Sequence, residues 1–477
     1  MMMKFVNDIL MGFRSCFSRA ATFEWFVVIV SGFLARTDSV GVTSVIRGLL
    51  LRADYLALIG FFRSSAWTLK SLTEKWCCLV RQSAPLVKQG DATVFVGDGV
   101  KASKEGRRMP GVKRLHQESG NSSKADYIWG HLFGGVGVLA ESAGKCFCIP
   151  LALTLQDGVK TIFGWDEGKE RQASHVTEMI KLARQVVIIF GKAILLLDRY
   201  FLSVPALLAL DEHNASNPAM HIVTKAKINC KAYQDPESAH GKRGRPRKVG
   251  AAVKLLGLFE GAKDQFISTK ACLYGEPVEL RYHCVDLLWG KKLYKKLRFV
   301  LVEYKNVQTI LATTDLALAP LDVICLYGKR FGIELMFREM KQVANAFGYR
   351  FWSKYMPKLN RFKKKTDPDP VDHVTAPQAK KRIKLAVKAI EGFMFCAAVA
   401  TGLLQMVSLR FSGTDELKNL RYLRTYRNSV VSEATVADYF KRNFFGLIHR
   451  HSGLPLARII LGKQAPPPAC SDSEKIA

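Results

Sequence analysis

Apolar residues recur at three-and-four spacing through residues 1 to about 85, at positions such as Ile46, Leu49, Leu50, Tyr55, Leu58 and Phe61, and this predicts helices. The pattern changes at Thr93-Val94-Phe95-Val96-Gly97-Asp98, a short β-branched run that predicts a buried strand ending in an acid. Tyr127 to Leu139 and Cys146 to Leu155 predict two further strands of a meander, and Ala173 to Val186 an amphipathic helix. Ala193 to Leu197 is again an unbroken apolar run, closed by Asp198; a helix at Val204 to Glu212 and a strand at Met220 to Lys225 follow. From about Asn229 to Asn306, short β-like runs (Phe266 to Tyr274, Val278 to Val285, Lys296 to Tyr304) alternate with turns. They predict a β-rich insertion separate from the first sheet. Tyr327 to Lys341 predicts one helix. Ile383 to Phe411, apolar on several faces and rich in alanine, predicts a long helix packed in the core.

These shifts divide the chain into an N-terminal helical unit (1–85), an α/β core in two parts (86–228 and 313–411), a β-rich insertion (229–312) and a C-terminal unit (412–477). Residues 355 to 381, rich in Pro, Lys and Asp, predict an exposed connection. Leu417 to Phe445 predicts basic helices carrying Arg421, Arg424 and Arg427, and the segment from Gln464 a disordered tail.

Charge narrows the choice of partner. Lysine and arginine number 71 against 41 acids, a net +30. An excess of that size repels itself in the compact state and calls for a polyanion. Nucleic acid fits best, because each neutralised phosphate releases a counterion. A membrane surface would ask for one basic amphipathic helix, whereas here the charge is spread along the chain. The apolar run Trp25 to Ala35 is shorter than the ~20 residues of a spanning helix. Asp8 and Glu24 interrupt the basic start that a signal peptide would need, so a cytoplasmic protein is expected. The eleven cysteines include no Cys-x-x-Cys pair and predict neither a zinc ribbon nor a disulfide framework.

The candidate chemistry lies in three acids. Asp98 shares a strand face with Val94 and Val96, so its carboxylate points inward; Asp198 repeats that arrangement. One such residue alone reads equally as a cap or a turn. On a helix, Tyr327, Arg330, Glu334 and Lys341 fall within about 60° of arc, with Ile333, Leu335, Met336 and Met340 facing inward. Taken alone, that stripe also reads as a solvated face carrying an ion pair. Two strand-end aspartates and a helical glutamate make a set of hard oxygen donors suited to Mg²⁺ or Mn²⁺. Two such ions about 4 Å apart can activate a water or hydroxyl and stabilise the leaving oxygen of a phosphodiester. The basic loop from Lys101 to about Lys124 places phosphate-binding charge next to Asp98, or is simply solvated. Within the insertion, the Arg243-Gly244-Arg245-Pro246 core resembles an AT-hook entering a narrow minor groove, with a plain phosphate-binding loop as the alternative. Trp289 is a packed residue of the insertion or a platform for an unpaired base.

Tyr327-x₂-Arg330-x₃-Glu334-x₆-Lys341 resembles the Tyr-Arg-Glu-Lys motif of bacterial insertion-sequence DDE transposases, at the family's spacing. The resemblance covers roughly residues 90 to 345, with Asp98 and Asp198 similar to the first two acids of the triad. It implies an RNase H-like mixed sheet flanked by helices, with a β-rich insertion before the glutamate helix and an N-terminal helical domain. It further implies cut-and-paste transposition, with Asp98, Asp198 and Glu334 binding two Mg²⁺ (or Mn²⁺) ions. Tyr327, Arg330 and Lys341 would hold DNA phosphates, Arg243, Arg245 and Trp289 would add DNA contacts, and a homodimer would synapse two inverted repeats. Several relatives follow the first acid with Asp-Thr or Thr-Thr, whereas this chain has Gly99-Val100. A structure-specific nuclease on the same fold and a DNA-binding protein without catalysis are the alternatives.

Overall fold

A computed structural model describes all residues of the chain except 39–40, 53–54, 118–124, 168–173, 237–246, 274, 363–368, 419–429 and 465–477. Arg243, Arg245, Arg421, Arg424, Arg427 and the tail after Gln464 lie outside the described residues. The N-terminal pattern folds as helices α1 (Met2–Met11), α2 (Ala20–Ala35), α3 (Tyr55–Arg63) and α4 (Leu69–Ser83). Thr68 starts α4, its hydroxyl accepting the Ser71 amide at 3.2 Å and so satisfying one of the free N–H groups of the first turn. Helix α2 is apolar all round and correspondingly buried from Trp25 to Ala35.

Strands β1 (Ala92–Ser103), β2 (Tyr127–Ser142) and β3 (Lys145–Leu155) form the expected antiparallel meander. Helix α5 (His175–Val187) then leads to β4 (Ala193–Leu197), and α6 (Val204–Asn214) to β5 (Met220–Lys225). β4 pairs parallel to β1, and β5 parallel to β4. The order β3–β2–β1–β4–β5, with β2 antiparallel to its neighbours, is an RNase H-like mixed sheet. Parallel neighbours need crossovers, which is why helices separate β1, β4 and β5 in sequence. β1 runs five residues beyond the predicted end at Asp98, because β2 keeps pairing with it through Ser103 after β4 has ended at Leu197. Asp98 is therefore inside β1, at the point where its parallel neighbour stops.

The insertion departs from expectation. Its strands β6 (Ile267–Leu273), β7 (Glu276–Trp289), β8 (Lys295–Tyr304) and β9 (Val307–Thr313) do not form a separate sheet. β9 pairs antiparallel with β5 through Leu311↔Lys225, Ala312↔Thr224 and Thr313↔Val223, so one sheet continues from the core into the insertion. β5 would otherwise be an edge with unpaired backbone groups, and β9 covers it. The insertion still has its own core on one face, around Leu255, Phe259, Leu297 and Phe299.

Helices α7 (Pro320–Lys329) and α8 (Gly332–Gln342) replace the single helix predicted for Tyr327 to Lys341. Gly328 and Gly332 flank the break, and glycine weakens a helix by about 1 kcal/mol per residue. The break is tight: Arg330 N–H donates to the Tyr327 carbonyl at 3.0 Å and Glu334 N–H to that of Phe331 at 3.0 Å. These three-residue closures are a 3₁₀ turn between two α-helices. Helix α9 (Pro377–Phe411) packs against β3, α2, α3, α4 and α10 (Glu433–Arg450). By length and composition it could cross a membrane, but its most apolar stretch is wholly buried within the protein.

Two buried cations pin the chain just after α8. Arg36 donates to the Ala344 carbonyl and, at 2.8 Å, to the Ser44 hydroxyl. Lys104 Nζ donates to the carbonyls of Phe347 and, at 3.2 Å, Tyr349, and lies 3.6 Å from the Tyr349 ring centre. Burial, with Arg350 adding to it, pushes the Lys104 ammonium down to about 7 from its ordinary 10.5. Between those values the unfolded chain holds a proton that the folded chain has released. Stability therefore rises as pH climbs from about 7 toward 10, and below 7 this contribution is flat. Urea titrations at constant ionic strength should show that rise, and Lys104→Met should flatten it; an unchanged slope would show that the lysine is not the titrating group.

Candidate active site

The register places the two aspartates together. Val96 of β1 is opposite Leu196 of β4, and Asp98 and Asp198 each stand two residues beyond that pair. Adjacent strands lie about 4.8 Å apart, so both acids leave the same end of the parallel pair toward the same face. The Thr224 hydroxyl donates to the Asp198 carbonyl at 2.9 Å and fixes the chain where it turns out of β4.

Helix α8 covers that face and carries Glu334. Its inward side is Ile333, Met336 and Met340, as the spacing predicts, joined by Phe337, while Leu335 is half-buried. It can lie close because β2 presents glycine beneath it. Gly135 is the partner of Asp98 across β1 and β2, and a Cβ there would stand 2.8 Å from the Phe337 ring. A Cβ on Gly137 would stand 3.2 Å from Met336 Sδ. Gly135→Ala should accordingly cost about 1–3 kcal/mol through overpacking. Adding Phe337→Leu should return part of that loss in a double-variant cycle read by urea unfolding; strictly additive losses would mean that the ring and the glycine do not meet.

Arg330, in the turn between α7 and α8, draws the acids together. Its Nη1 donates to Asp98 Oδ2 at 3.2 Å and its Nη2 to Glu334 Oε1 at 2.6 Å. Asp98 Oδ1 accepts the Gly99 amide at 2.7 Å. Burial pushes the Asp98 carboxyl above its ordinary value; the Gly99 amide and Arg330 oppose the shift, while the charges of Asp198 and Glu334 add to it. Burial would lower the Arg330 guanidinium, but Tyr327, Asp98, Asp198 and Glu334 hold its proton more firmly and the net shift is upward. All three acids and Tyr327 thus act electrostatically on one side chain that is 14 % exposed.

The Gly99 departure has a structural counterpart on the opposite face of the sheet. A Cβ there would stand 3.0 Å from the imidazole of His175, the first residue of α5, so the ring occupies the space a side chain would take. Lys341, on α8, is exposed, with Nζ 5.7 Å from the Phe347 ring centre. Trp289 is half-buried at the end of β7, its indole N–H donating to Cys230 Sγ at 3.2 Å against the insertion's own core.

Beside the acids is a cleft of about 360 Å³ lined by Asp198, Arg199, Lys225, Tyr327, Arg330 and Phe331. Arg199, Lys225 and Phe331 escaped the sequence reading. Arg199 and Phe331 directly follow the key residues Asp198 and Arg330, and Lys225 ends the strand next to β4.

The donor set fits a hard divalent cation in kind and charge: three carboxylates, one of them half-buried and pushed up chiefly by that burial, with a single arginine against them. Among the described residues no three acids, histidines or cysteines stand in a ligating arrangement; the Arg330 guanidinium lies between Asp98 and Glu334.

A family model described as DDE superfamily endonuclease matches residues 12–162. That stretch holds α2 to α4, β1 with Asp98, β2 and β3, and ends before Asp198 and the α7–α8 turn. No curated protein and no solved structure matches the chain. The match supports a nuclease or transposase type of function, with DNA as partner.

Proposed function

We propose that this chain is a DDE transposase that cleaves the ends of an insertion sequence and joins them to target DNA. The observation that supports the reading is that Arg330 bonds to both Asp98 and Glu334, remote from each other in sequence, while Asp198 acts on the same guanidinium through its charge. Asp98, Asp198 and Glu334 would hold Mg²⁺ or Mn²⁺. Ions held there would supply activation of a water or hydroxyl nucleophile and stabilisation of the leaving oxygen.

The chain's own residues do the rest. Arg330 keeps the acids from repelling one another in the free protein. When a phosphodiester enters the cleft beside Tyr327, the guanidinium turns to the phosphate oxygens, a planar fork well matched to them. That exchange releases the Asp98 and Glu334 carboxylates together. Lys225 and Arg199 supply further charge along the cleft, and Lys341 holds a phosphate farther along α8. Phe331, 48 % exposed at the cleft, offers a face to a base. Two copies of the chain bring two inverted repeats together for transfer.

The test is a nicking and joining assay with full-length protein, Mg²⁺ and duplexes carrying the inverted repeats that flank the coding region. Nicked and then joined products are expected. Nicking without joining would reassign the chain as a structure-specific nuclease, and binding without either would leave a DNA-binding protein.

A further inference from the structure

The N-terminal helical unit and the segment after α8 enclose a groove on which the proposed chemistry does not draw. Two cavities, of about 650 Å³ and 1020 Å³, adjoin at Gly41, Arg350 and Trp352, which line both. Trp352 is 60 % exposed at the place they share, although an indole is among the side chains water disfavours most on a surface. Around it stand Arg63 of α3, Arg350, Lys354 and Arg382 of α9, all exposed. None of these four makes an ion pair among the described residues, whereas Arg47 and Lys70 of the same N-terminal unit pair with Asp38 and Glu74. Among the described residues no acid lines the smaller cavity, and the larger adds Arg107 and Lys358 with Glu105 as the one acid among the described residues that line it. Four like charges kept together without counter-ions repel one another until a polyanion arrives.

We infer that this groove binds a DNA strand and that Trp352 stacks on an unpaired base of it. The inference rests on the transposase reading above, and the structure gives it a path. β1 runs from Asp98 to Ser103, which lines the larger cavity, a distance of about 16 Å at strand rise. α8 runs from Glu334 to Lys341, whose ammonium lies near Phe347, another residue of that cavity. The larger cavity thus begins where both elements of the acid site lead. About 16 Å is the length of some five nucleotides at 3.4 Å each, so the near end of the groove at Ser103 lies about that far from the bond being cut. An aromatic plane among cations is a combination that holds single-stranded DNA without regard to sequence. An acidic protein segment would satisfy the cations but would leave the indole without a flat partner.

The test uses full-length protein and three fluorescein-labelled probes of mixed sequence: a 30-nucleotide single strand, a 30-base-pair duplex, and that duplex with a five-nucleotide gap in one strand. Anisotropy titrations should show Trp352→Ala weakening the single-strand and gapped probes about ten-fold and the intact duplex less than two-fold. Trp352→Phe should keep most of the affinity, and because the side chain is exposed both variants should melt with the wild type. Replacing Arg350, Lys354 and Arg382 with Ala should lower the single-strand salt slope by about two units. Equal affinities for wild type and Trp352→Ala, or the same loss on all three probes, would overturn the inference while leaving the catalytic reading standing. Failure of the wild type to bind any probe would instead remove both.

Discussion

Asp198→Asn should stop strand cleavage, by roughly a thousand-fold or more, while leaving DNA binding within about two-fold. Asparagine keeps the size of the side chain and one acceptor oxygen. The backbone at this position is held independently, through the Thr224 hydroxyl on the Asp198 carbonyl, so the turn out of β4 survives the change. What is lost is one negative charge from a set of three, and with it the ability of that set to hold divalent cations, each worth several kcal/mol to a phosphoryl transition state. Nicking of a labelled end in Mg²⁺ and anisotropy on the same duplex, read side by side, separate the two effects. Cutting at the wild-type rate would remove Asp198 from the active site and the three-acid reading with it.

The second large effect belongs to Arg330. Arg330→Gln should destabilise the free protein by about 1–3 kcal/mol, because Asp98 and Glu334 lose their bridge and the half-buried Asp98 is left beside like charges. Millimolar Mg²⁺ should then raise the melting temperature of this variant more than that of the wild type, since a cation binding only the folded acids stabilises by mass action. Cleavage should fall in parallel, as the variant lacks the fork that meets the phosphate. A melting temperature indifferent to Mg²⁺ in Arg330→Gln would show that the three carboxylates do not share an ion, even though they share an arginine.

These two predictions draw on information of different kinds. Asp98 and Asp198 were legible in the sequence because each follows an apolar, β-branched run, and period-two alternation fixes the face such a residue leaves. Glu334 was legible because Ile333, Met336 and Met340 mark the buried side of its helix and put the acid on the other. Arg330 was visible as a member of the motif, but not as a bridge between two acids, because its bond to Asp98 spans 232 residues. The single helix expected for Tyr327 to Lys341 breaks at Arg330 for a local reason, two glycines, that periodicity alone underweights. Trp352 went unnoticed because nothing in its neighbours' spacing announces exposure; the groove around it comes from four segments that meet only in the folded chain.

Local pattern determined which segments became strands and helices and which face of each turned inward, because the geometry of one element depends on residues a few positions apart. Only the tertiary structure decided that β9 would cover the edge of β5 and merge the insertion into the core sheet, that Gly135 would let α8 settle close above Asp98, and that a single guanidinium would join acids from opposite ends of the domain. Those outcomes depend on which surfaces find each other after the chain has folded back on itself, and residues far apart in sequence carry no periodic trace of that meeting.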